Sequence, residues 1–159
     1  MFRFFEYVYK LVNLIMLIML IIMIGSISIN VVARYFGMAF TWIDEVSRLT
    51  FVWMSCMAIV IGLKKGLHPA FAVIVGKTDG IVTKLLLTVI NILILIFLIY
   101  LLKGGIDYIF KIHVQKTAIL GISVAWKYSA VPFAAIIMIL EVVKKLVFVW
   151  RKDIYRLID

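Results

Sequence analysis

Four apolar runs, each long enough to cross a bilayer, constrain this chain more than any other feature. They cover about residues 11–32, 42–63, 81–102 and 122–143. A transmembrane helix needs roughly 20 predominantly apolar residues. Hydrophobic residues make up 66% of the sequence, against about 45–50% in an ordinary soluble domain. A water-soluble fold of this size has too little interior to hide them. Barrel strands would alternate polar and apolar side chains, and these runs do not. The sequence predicts an all-α membrane protein, one domain over residues 1–159, with four transmembrane helices.

The intervening segments complete the expected layout. Residues 1–10 mix basic and aromatic side chains and suit an amphipathic lead-in at headgroup level. The first run is too long for a signal peptide and has no small-x-small cleavage site after it. Gly37 marks a tight turn before the second run, and Lys64, Lys65 and Gly66 stop that run. Residues 67–80, bracketed by Pro69 and Gly76, read as a short amphipathic helix in the interface plane. Lys103 to Gly121 is the longest polar connector, whose first part can extend the third helix despite Gly104 and Gly105. Pro132, lacking an amide hydrogen, predicts a bend in the fourth helix. The tail to Asp159 alternates basic and apolar residues and suits an anionic surface.

The net charge is +9, from 17 Lys+Arg and 8 Asp+Glu. The basic residues gather at the ends of the apolar runs, as topogenic charges and contacts to anionic membrane lipids do. That distribution argues against nucleic acid as a partner. With four spans, 11 of the 17 cations fall on the side of the termini and 6 on the other. The positive-inside rule then places both termini in the cytoplasm.

The second run carries an unusual pattern. On a helix, Asp44 and Arg48 share a face, Glu45 can also reach Arg48, and the same face continues through Ser55 to Gly62. The opposite side carries Val46, Leu49, Trp53, Met57 and Val60. Charges at membrane depth usually face protein or water. The polar side is therefore expected to seat against protein, with Asp44 and Glu45 bracing Arg48. Ser26, Asn30, Ala33 and Arg34 share a face at the far end of the first run, where they can meet the acidic start of the second. Asn91, near the middle of the third run, calls for an interhelical partner.

No catalytic set stands out. There is no glycine-rich phosphate loop, no HExxH and no nucleophile beside a base. His68 and His113 fall on opposite sides of the membrane in this topology and cannot share a metal. Cys56 is the single cysteine and reads as a small core residue. Nothing charged lies near the midplane, as a self-sufficient carrier would require. The chain is expected to be neither an enzyme nor a carrier on its own, but a partner subunit. The alternative is a small four-helix homo-oligomeric exporter, for which Asp44 and Glu45 lie too near a helix end.

Four strings occur in order and at characteristic spacing: VVARYF (Val31–Phe36), WIDEVSRLTFVW (Trp42–Trp53), GLKKGLH (Gly62–His68) and TAILGISVAWKYSAVP (Thr117–Pro132). Together they resemble the small membrane subunit, the DctQ family, of the tripartite ATP-independent periplasmic (TRAP) transporters. The resemblance covers nearly the whole chain, and residues 31–68 carry most of it. The chain departs from the pattern in having no acid after His68 and no proline just before the fourth run. The resemblance implies a multi-pass protein of the bacterial inner membrane with a division of labour. A periplasmic binding protein captures a carboxylate solute, such as sialic acid or a C4-dicarboxylate. A large multi-span subunit carries it in an elevator movement and binds the coupling sodium. The small subunit, with no cofactor of its own, scaffolds the large one. Arg34, Trp42, Asp44, Glu45, Arg48 and Trp53 match the family's central string and are assigned to subunit packing or bracing.

Overall fold

The computed structural model describes residues 2–38, 40–64 and 81–150, the side chains of 2–5, 148 and 150 excepted. Its helices are α1 (Phe2–Tyr35), α2 (Thr41–Lys64), α3 (Ile81–Ile112), the single turn α4 (Ala125–Tyr128) and α5 (Ala130–Trp150). Three stretches are long and apolar enough to cross a membrane: Glu6–Tyr35, Thr41–Lys64 and Ile81–Ile112. The expected interfacial helix over 67–80 and the basic tail lie outside the described residues.

The helix ends follow from local chemistry. After α1, the Gly37 amide bonds to Arg34 O at 3.1 Å and the Met38 amide to Ala33 O at 2.9 Å. Gly37 has φ 73°. This is a Schellman cap, whose left-handed residue glycine adopts without strain. The lead-in is continuous with the first helix. The third helix runs through Gly104 and Gly105 to Ile112, so the connector is shorter than the sequence predicts. A Cβ at Gly105 would lie 3.4 Å from Pro132 Cδ, which places the end of α3 beside the start of α5.

The helix of the fourth run starts at Ala125, three residues later than the sequence predicts. Between α4 and α5, Ser129 keeps helical backbone, with φ −62° and ψ −19°, and its hydroxyl donates to Trp126 O at 2.8 Å. Pro132 is the third residue of α5. The helical bonding continues across this point, with the Phe133 amide on Ser129 O at 3.2 Å, and Pro132, lacking an amide hydrogen, leaves one bond out of the ladder.

The helices pack as two pairs, α1 on α2 and α3 on α5, joined where α2 meets α5. The core joins Tyr9 and Val12 of α1, Met57, Val60 and Leu63 of α2, Leu98 of α3, and Ala134, Ile137, Met138 and Val142 of α5. Ala130, Ala134 and Ala135 are fully buried. Small residues let helix backbones approach closely where lipid removes the usual hydrophobic drive. Most of the outward surface of α1 and α3 is apolar, with Ile21 and Leu93 each 61% exposed.

Candidate functional site: the two faces of the second helix

Asp44 and Glu45 stand one residue apart, so their side chains leave α2 about 100° apart, and each meets a different neighbour. Asn30 Nδ2 donates to Asp44 Oδ1 at 2.6 Å. Arg34 Nη2 lies 3.4 Å from Asp44 Oδ2. Asn30 and Arg34 are four apart on α1 and so share a face. Asn30 is 8% exposed, whereas the Arg34–Asp44 pair is open to its surroundings.

Glu45 reaches the connector after α3. Its Oε1 accepts the Ile119 amide and its Oε2 the Leu120 amide, each at 3.0 Å. The connector closes on itself to present these amides. Thr117 N bonds to Ile122 O at 2.8 Å and Val124 N to Gln115 O at 2.9 Å, with Gly121 at φ 65° in the turn. One carboxylate thus holds two consecutive backbone donors. Trp53 adds a third tie: its indole N–H donates to Trp126 O at 3.1 Å, and its ring lies 5.9 Å from that of Phe133.

Arg48 departs from the expected arrangement. It is exposed, and among the described residues it makes no ion pair with Asp44 or Glu45, since both carboxylates are turned to other partners. The buried stripe of α2 is Ile43, Thr50, Met57, Val60 and Leu63. Met57 and Val60, from the side the sequence marks as opposite to Arg48, form the core. Arg48 and its neighbours Phe51, Ala58 and Ile59 look outward. Ser55 and Gly62 are half-buried, and a Cβ at Gly62 would meet nothing within 4 Å. Trp42, at the head of α2, is 48% exposed and lies against Phe40 at 6.4 Å. The motif residues therefore divide. Arg34, Asp44, Glu45 and Trp53 tie the chain to itself, and Arg48, Ser55 and Gly62 lie on a side of α2 that the other described residues leave open.

Asn91 is 1% exposed on α3. Its Nδ2 donates to Leu87 O of its own helix at 2.7 Å, and its Oδ1 has no partner. The expected bond to another helix is not made.

The other end of the bundle holds a polar cluster that the sequence analysis did not single out. Glu141, 3% exposed, accepts from the Tyr9 hydroxyl at 2.5 Å and from Lys144 Nζ at 2.7 Å. Lys145, 5% exposed, donates to Leu63 O at 2.5 Å. The last turn of α2 carries unpaired carbonyls and a partial negative charge, so an ammonium is favoured there. Tyr9 and Glu141 are 132 residues apart, which no spacing argument reaches. The three-residue step from Glu141 to Lys144 was the one local signal.

Comparison with known proteins identifies the family. The family model of the tripartite ATP-independent periplasmic transporters, DctQ component, matches residues 23–152. A Haemophilus influenzae protein, whose name assigns it provisionally as a TRAP transporter small permease protein, is 28% identical over 134 residues, which is 82% of this chain and 80% of that one. The match takes in α2, the connector that Glu45 holds and α5, and the chain belongs to the DctQ family of TRAP transporter components, a membrane-transport family and not an enzyme family.

Proposed function

We propose that this chain is the small scaffolding subunit of a sodium-coupled TRAP transporter. It lies in the bacterial inner membrane with both termini in the cytoplasm, and α5 is its fourth span. The helix is 21 residues long, about 31 Å at 1.5 Å per residue, enough for the hydrocarbon core. A large multi-span subunit binds sodium and moves a carboxylate solute, sialic acid or a C4-dicarboxylate, handed over by a periplasmic binding protein. This chain contributes no cofactor and no pathway. It widens the fixed part of the larger subunit.

The observation that carries this reading is the split of α2. Its Met57–Val60 side is used up inside the chain, while Arg48, Ser55 and Gly62 are left for another polypeptide. A guanidinium within a spanning helix is costly in contact with acyl chains alone, and small side chains beside it admit a close helix neighbour. Reconstitution tests the reading. Proteoliposomes with this chain alone should show no sodium-driven uptake with any binding protein. Those with the large subunit and this chain together should take up the cognate solute. Uptake by this chain alone would overturn the proposal.

A further inference from the structure

Between Glu45 and Lys64, Arg48 is the one charged residue of α2. It lies seven residues past Thr41, about 10 Å along the helix axis, and one turn deeper than Asp44. Its side chain is exposed. Two carboxylates stand within one turn of it, and the chain commits both elsewhere. Asp44 takes Asn30 and Arg34. Glu45 takes the Ile119 and Leu120 amides. Among the described residues Arg48 forms no ion pair. The side chains that share its open face are no substitute: Phe51 and Ile59 are 54% and 56% exposed and apolar, and Ser55 carries no charge.

We infer that Arg48 pairs with a carboxylate on a membrane-spanning helix of the large subunit, and is the ionic anchor of the contact between the two chains. The inference rests on the scaffold reading above and adds the chemistry of the partner. A guanidinium on a spanning helix is costly against hydrocarbon. A carboxylate satisfies it through two parallel N–H···O bonds that fit the planar fork. Neither neighbouring acid can turn to Arg48 without loss, since Asp44 would give up α1 and Glu45 the connector. The counter-charge therefore comes from outside the chain. The open face continues from Arg48 through Ser55 and Ala58 to Gly62, toward the middle of the span. A helix seated along that face is placed to carry a carboxylate to Arg48.

The test is co-expression of the tagged full chain with the large subunit, followed by purification in mild detergent. Wild type should retain the large subunit. Arg48→Glu should lower the retained amount by about tenfold or more, as expected when one partner of an interfacial charge pair is lost. Lys10→Gln, an exposed cation near the other end of the bundle, should leave it unchanged. Arg48→Gln, which adds no new charge, should lose part of it, and replaces Arg48→Glu if that variant lowers the melting temperature of the chain. Each Asp and Glu in the spanning segments of the large subunit is then changed to Arg in turn. One such exchange should restore retention by Arg48→Glu and lower it for wild type. Full retention by Arg48→Glu and Arg48→Gln would overturn the pairing and leave the scaffold reading intact. Absence of retention by wild type would overturn both. A loss that no exchange restores would overturn the carboxylate partner, and a gain in retention on adding phosphatidylglycerol would then assign Arg48 to a lipid phosphate.

Discussion

Two neighbouring carboxylates, Asp44 and Glu45, serve two different partners because the helix turns about 100° between them. Asp44 ties α2 to α1, and Glu45 ties it to the connector. Asp44→Ala should therefore lower the melting temperature of the chain purified alone, by an amount equivalent to about 1–2 kcal/mol for the lost charge-assisted bond to Asn30, with little added for the open Arg34 pair. Arg48→Ala should leave that temperature nearly unchanged and instead reduce the amount of large subunit that co-purifies. A fall in melting temperature for Arg48→Ala as large as for Asp44→Ala would contradict the division of the motif. Glu45→Ala removes the acceptor for two backbone donors. Hydrogen exchange at the Ile119 and Leu120 amides should speed up by about tenfold or more, with other connector amides less affected. Glu141→Ala removes a buried acceptor that joins Tyr9 of α1 to Lys144 of α5, and thermal unfolding in detergent should report a loss of about 1–3 kcal/mol. The positions 44, 45 and 48 were legible in the sequence as a group. Their separation was not, because helical spacing says which residues can meet and not which partner a carboxylate finds once other helices are present. Asn91 shows the same limit: its burial could be read from its place in an apolar run, while its bond to Leu87 O could not.

At the scale of elements, the first three apolar runs each lie in a helix long and apolar enough to cross a membrane, since length and composition alone decide that, while α1 begins nine residues before its run and α3 ends ten residues after its run. The fourth differed for a local reason. The Val124 amide is bonded to Gln115 O of the connector, so the helix starts at Ala125 and not at Ile122, and Pro132 leaves one bond out of the ladder beyond it. The glycines at 104 and 105 were weighed as possible breaks, yet α3 passes through both. Gly105 serves the packing against Pro132, and this gives a graded prediction. Gly105→Ala places its Cβ at 3.4 Å from Pro132 Cδ, at the edge of ordinary contact. It should be neutral or stabilising, by up to about 1 kcal/mol from helix propensity. Gly105→Leu has no room toward α5 and should lower the melting temperature clearly. Equal tolerance of both would show that α3 and α5 do not approach closely here.

For the whole molecule, the bundle has two differently built ends and one open side. At one end, Asp44, Glu45 and Trp53 knit α1, α2 and the connector together. At the other, Tyr9, Glu141, Lys144 and Lys145 join α1, α2 and α5. Between them, α2 turns its Met57–Val60 side inward and its Arg48–Ser55–Gly62 side out. In the proposed reading, a larger membrane subunit occupies that side. The most direct measurement is photo-crosslinking in the membrane from probes placed at Ser55 and Gly62, with a probe at Leu93 on α3 for comparison. The account predicts adducts with the mass of this chain plus the large subunit from Ser55 and Gly62. Adducts with lipid alone from both positions, while the large subunit is present and co-purifies, would contradict it.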